Sequence, residues 1–168
     1  MSLKVFAVLI TVIALSVAGT VSAQEKEDKT DKTTDAKKLS TQFAKAMFAD
    51  KDSPGVMKLV AVPFSWPYDD AKTVNNADEL KKKIDALFAK QREAVKGVIK
   101  IEGAKSIDAD DKEKGLKKGD VIVGVSITPK EAEGLNLFVK VASPGGQLKV
   151  VGFMIVPPIA FGELKKKN

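Results

Sequence analysis

VNNADELKKKIDALFAKQREAVKGVIKIE, residues 74–102, contains a change of hydrophobic period that decides the fold class. Asn76 stands where a helix N-cap belongs, and Glu79, three residues on, completes a capping-box pattern. Leu80, Ile84, Leu87, Phe88 and Gln91 follow at helical spacing, and Ala94 and Val95 extend that face. Gly97 is expected to terminate the helix. Beyond it the period falls to two. Val98, Lys100 and Glu102 alternate with Ile99 and Ile101, as in a half-buried strand.

Downstream the two-residue period persists. Residues 105–119 are polar and read as a connection. Residues 120–128 (DVIVGVSIT) are rich in β-branched side chains. Leu135, Leu137, Val139 and Val141 alternate with Asn136, Phe138 and Lys140. Pro144-Gly145-Gly146 signals a turn, residues 147–156 a further strand, and Pro157-Pro158 its end.

Upstream the helical period holds. Leu39, Phe43 and Met47 repeat every four residues, predicting an amphipathic helix over 36–50. Ser53-Pro54 opens a second helix, with Val56, Met57 and Val60 on its apolar face and Pro63 as its stop. Phe64-Ser65-Trp66 reads as a short edge strand limited by Pro67, Asp69-Asp70 as a turn and residues 71–74 as a returning strand. Helices first and consecutive strands after them predict an α+β fold: a conical, curved antiparallel sheet packed on N-terminal helices.

The first 23 residues read as an address. Lys4 precedes an apolar run over 5–18, and Val21-Ser22-Ala23 offers small residues at the exit. The run is shorter than the ~20 residues a membrane span requires. A signal peptide over 1–23, cleaved after Ala23, is expected, with a secreted or periplasmic product and no stable membrane anchor after cleavage. No cysteine follows, so lipoprotein processing is excluded. Residues 24–38 balance acids and lysines and read as a disordered charged linker. The folded domain is expected over 39–156, followed by a C-terminal tail over 157–168.

Composition removes much chemistry. The 168 residues include no Cys and no His. Disulfides, Cys-ligated zinc, imidazole bases and Ser-His-Asp triads are therefore absent. The net charge is +6; removing residues 1–23 takes away one lysine and no acid, leaving +5. Only one arginine, Arg92, is present, and the lysines are interspersed with acids. That pattern is a solvated surface rather than a nucleic-acid site. Asp108, Asp110 and Asp111 lack the glycine turn of a calcium loop and read as a solvated loop. No metal and no cofactor are expected.

The stretches 43–66 (FAKAMFADKDSPGVMKLVAVPFSW) and 74–90, with the strands DVIVGVSI, LNLFVKV and QLKVVGFMI, resemble the nuclear transport factor 2-like, or SnoaL-like, superfamily. The resemblance implies a cone with one pocket and a homodimer formed through the open sheet face. It selects no activity, because the fold hosts enzymes and binding modules alike. A competing similarity is to PDZ domains, through residues 115–125 (GLKKGDVIVGV); it requires 135–142 to be a helix.

Phe43, Met47, Trp66, Tyr68 and Phe138 are the candidate lining of an apolar pocket, while Phe88 and Phe153 are expected in the core. Trp66 and Tyr68 each need a hydrogen-bond partner when buried, which suits a rim. No catalytic residue is assigned. The expected function is non-catalytic binding of a small apolar or amphipathic molecule, or of a protein partner. The enzyme alternative is a cofactor-free isomerase or dehydratase using Tyr68 with Asp69. In an extended segment those two side chains point to opposite faces, which weakens the pair.

Overall fold

The structure, a computed structural model, describes residues 31–68, 73–91, 94, 95, 97–112, 115–129 and 134–156. The expected signal peptide and its cleavage site, Asp69-Asp70, Arg92 and the tail 157–168 lie outside the described residues. The chain divides into two compact units, 1–34 and 35–168. Of the first, residues 31–34 are described and are helical. The second carries the fold.

Helix α1 (35–44) occupies part of the expected linker: residues 31–38 are helical rather than disordered. The reason is a stripe of small residues. Ala36, Ser40, Phe43 and Ala44 are fully buried at helical spacing, and the first two are too small to register as an apolar face. The helix widens into a π turn over Lys45–Ala49, with the Asp50 N–H donating to the Lys45 carbonyl at 2.9 Å. The extra residue shifts the phase, so Ala46, Met47 and Phe48 are all buried.

Helix α2 (Ser53–Leu59) is capped by Asp52, one residue before the expected Ser53; its carboxylate accepts the Gly55 N–H at 3.0 Å. It ends at Leu59, not at Pro63. Val60 already belongs to strand β1 (Val60–Ser65), which holds a cis Val62–Pro63 bond. Strand β2 (Thr73–Val74) pairs antiparallel with β1.

Helix α3 (Ala77–Lys90) begins as its sequence predicts, with Asn76 accepting the N–H groups of Asp78 at 2.7 Å and Glu79 at 3.3 Å. Lys81 bonds Asp85 at 2.7 Å on its exposed side. That bond, with the nearby Ser53 hydroxyl, holds the Asp85 carboxyl below its ordinary range. The helix stops before Ala94 and Val95, and the Val95 N–H bonds the Phe48 carbonyl at 2.8 Å. Gly97 is not a helix cap. It opens strand β3 (Gly97–Ser106), where a Cβ would lie 2.6 Å from the Thr128 carbonyl oxygen.

Strands β4 (Val121–Pro129), β5 (Leu135–Ala142) and β6 (Lys149–Val156) complete a six-stranded curved sheet in the order β2-β1-β6-β5-β4-β3. Residues 135–142 form a strand, which removes the PDZ-like alternative. The α+β class holds. The sheet itself is mixed rather than wholly antiparallel, because β1 lies parallel to β6. Chain that leaves α2 into β1 runs in the direction of the last strand, and this pairing joins β2 and β1 to the other four strands. Register shifts near Glu102 and near Lys140 mark bulges, which bend a sheet.

Candidate functional site

Directly paired residues of antiparallel strands project to one face, and successive residues alternate. Val121, Val123, Val125 and Ile127 of β4 stand opposite Val141, Val139, Leu137 and Leu135 of β5, and Val139 stands opposite Phe153 of β6. All but the half-buried Leu135 are buried, so this is the inner face.

On it an aromatic cluster gathers around Phe153. The ring centroids of Phe43, Phe48, Phe64, Trp66 and Tyr68 lie 5.6, 5.8, 6.3, 6.1 and 6.3 Å from that of Phe153, in tilted or edge-to-face arrangements. Such geometry satisfies the ring quadrupoles, adding about 0.5–1.5 kcal/mol per pair to area burial. Trp66 meets Tyr68 at 5.5 Å. Phe43, Met47 and Trp66 are buried, so three of the five candidate pocket residues are packing elements of the core. Tyr68 is half-buried at the edge of the cluster, and that burial pushes its phenol above the ordinary value. The sequence places the hub, Phe153, only in the core; its register opposite the buried Val139 is what sets it on the inner face.

Phe138 does not join the other four. It is out of phase with Leu137 and Val139, so it projects from the opposite, outer face. There it stands between Gly124 of β4 and Met154 of β6. Ile122 and Val156 share this face, and Val98 of β3 lies at its far corner. Val98 is 73% exposed and Met154 55%. The sequence assigned neither a role. The alternation of β3, which sets Val98 apart from Ile99 and Ile101, was the available clue.

Two lysines of the outer face are paired with carboxylates, while Lys105 and Lys149 stand at its end opposite Ile122 and Ala142. Lys100 lies 3.5 Å from Glu102, which also accepts the Ser126 hydroxyl at 2.8 Å. Lys140 lies 3.1 Å from Asp120 and also donates to the Gly115 carbonyl. Asp120 is the buried acid among the described residues, and it further accepts the Lys117 N–H at 2.9 Å. It is thus tied into the 107–120 connection and stands outside the aromatic cluster. Among the described residues, no group of three or more acids is placed to hold a metal ion, and no helix is long and apolar enough to cross a membrane.

Neither a protein-family model nor a curated protein sequence matches the chain. Solved structures do resemble it. One is a protein of unknown function with a cystatin-like fold from Nostoc punctiforme: TM-score 0.50, 12% identity, covering 73% of this chain and 89% of that one. Another is a nuclear transport factor 2-like protein of unknown function from Pseudomonas putida: TM-score 0.53, 14% identity, covering 77% of this chain and 88% of that one. At such identities the likeness establishes shape alone. Six strands in this order, laid over an inner aromatic cluster, have the nuclear transport factor 2-like, cystatin-like fold.

Proposed function

We propose that the protein is a non-catalytic binding domain whose partner is a second copy of itself, docked through the outer face of β3–β6. The observation that carries this reading is the apolar group on that face: exposed Val98 and Met154 with half-buried Phe138 and Ile122. A chain of net charge +6 repels its own copy unless the contact surface is close to neutral. Here Lys100 and Lys140 are each paired with a carboxylate of the same subunit, which leaves Lys105 and Lys149 at one end of the face as its uncompensated charges among the described residues. Four strands ~4.8 Å apart, each about eight residues long, present roughly 500 Å² of projected area. Side-chain relief raises this toward the ~800 Å² per partner of a standard interface. The dimer implied by the family resemblance uses the same face. The interior supports catalysis poorly, since its rings fill it and the buried Asp120 is engaged elsewhere.

Sedimentation velocity across a concentration series tests the reading. The wild-type protein should show a reversible monomer–dimer transition, and Phe138→Glu should remain monomeric with an unchanged circular dichroism spectrum. A wild type that stays monomeric at millimolar concentration overturns it.

A second reading has its own observation. Ile155 is 40% exposed although it lies on the inner side, opposite buried Leu137. With Tyr68 half-buried at the cluster edge, this end of the inner face suits a small amphipathic molecule whose polar group accepts from the phenol. Ile155→Asp would abolish such binding and leave dimerisation intact. A ligand that binds the variant equally well rules this out.

A further inference from the structure

Three side chains of this chain carry a described thioether: Met47, Met57 and Met154. Their surroundings differ sharply. Met47 is 1% exposed within the π turn, Met57 is half-buried against the core, and Met154 is 55% exposed on the outer sheet face directly opposite Phe138. Thioether oxidation needs approach of the oxidant along a sulfur lone pair, so rate follows exposure. Among the described residues, Met154 is therefore the sulfur an oxidant reaches first.

Its position gives the reaction a consequence. We propose that Met154 is an oxidation site coupled to self-association, so that sulfoxidation and pairing of the outer faces exclude one another. The inference rests on the proposed docking of that face. The sulfur of Met154 attacks the terminal oxygen of a hydroperoxide. An S–O bond forms and the O–O bond breaks. The sulfur loses two electrons, the peroxide is reduced, and its own proton ends on the departing oxygen as water or an alcohol. The product replaces a flexible apolar side chain by a strongly polar S=O dipole beside Phe138. Burying that dipole against a second apolar face without a hydrogen-bond donor is unfavourable. The direct neighbours Phe138 and Val156 supply none; of the two donors flanking Phe138 on β5, Lys140 is already bound to Asp120 and the Gly115 carbonyl, and Asn136 lies diagonally, opposite Val156. Conversely, a paired face shields the sulfur from the oxidant. What oxidation does to pairing, pairing does to oxidation.

The test is residue-resolved oxidation. The protein is exposed to hydrogen peroxide at concentrations spanning its association midpoint, digested, and sulfoxide at Met154 and Met57 is quantified by mass spectrometry. In dilute protein Met154 should oxidise at least tenfold faster than Met57. Its rate should fall about tenfold as the dimer forms, while the Met57 rate stays constant. The oxidised protein should sediment as a monomer, and enzymatic reduction of the sulfoxide should restore the dimer. A flat Met154 profile in a protein that sediments as a dimer overturns the coupling. So does an oxidised protein that still pairs. A flat profile in a protein that is monomeric throughout overturns the docking reading and the coupling with it. Equal rates at Met154 and Met57 in dilute protein overturn the site assignment, whatever the oligomeric state.

Discussion

Gly152 of β6 stands so close to Ser65 of β1 that a Cβ on the glycine would lie 2.6 Å from the serine Cβ and 3.1 Å from its carbonyl oxygen. The two residues are register partners in the one parallel pairing of the sheet, and Gly152 also pairs with Lys140 of β5. The glycine thus lets the last strand enter between β1 and β5. Gly152→Ala should cost about 1–3 kcal/mol, as overpacking does. Ser65→Gly, made in the same chain, should recover part of that loss. Urea unfolding followed by the fluorescence of Trp66, the one tryptophan, measures both; additive losses in the double variant would remove the contact as the cause.

Phe153 and Phe138 should respond in opposite ways. Phe153→Ala empties the hub of the aromatic cluster and should destabilise the fold by about 3–5 kcal/mol. Phe138→Ala, on the outer face, should cost far less in monomer stability and should weaken pairing instead. Unfolding curves at low protein concentration, compared with sedimentation at high concentration, separate the two effects.

Ser40 is fully buried on α1, and its hydroxyl has no hydrogen-bond partner. An unpaired buried hydroxyl carries a desolvation cost of about 1–3 kcal/mol. Ser40→Ala removes the hydroxyl and leaves only a small void. The variant should be at least as stable as the wild type and more stable by up to about 1 kcal/mol. A loss of more than about 1 kcal/mol would show that the hydroxyl is bonded.

Tyr68 is the one tyrosine, so the tyrosinate absorbance of the protein reports a single group. Burial raises its folded-state pKa above the ordinary 10.0. The folded state then holds the proton more tightly than the unfolded state. Its contribution to stability is full below the unfolded value and is lost as pH rises through the folded one. Absorbance titration should place the folded midpoint above 10.0, and unfolding in urea should return it to the ordinary value. Equal midpoints in both states would mean that the phenol is solvated.

Much of this architecture is legible in local patterns. The Asn76 cap and the Leu80–Ile84 spacing specify α3, and the alternation of Leu137, Val139 and Val141 specifies β5, because both depend on neighbours a few residues away. The parallel pairing of β1 with β6 is a long-range event that no local period encodes. Val60 is β-branched and follows a helix without a break, so its transfer to the sheet is decided by Val150, its partner across the chain. The small stripe of Ala36 and Ser40 is invisible to a search for large apolar residues. The candidate site was legible in part. Phe43 and Trp66 do meet Phe153 as buried packing and Met47 is buried in the same core, whereas the alternation of β5 assigns Phe138 to the other face.

The central claim is that the chain works as a non-catalytic pair closed over its outer sheet face. Native mass spectrometry of the protein purified from its own host tests it most directly, because mass, stoichiometry and retained small molecules are read together. The account predicts a species of two chains with no small molecule bound, converted to single chains by Phe138→Glu. A single chain carrying a retained apolar molecule would contradict it.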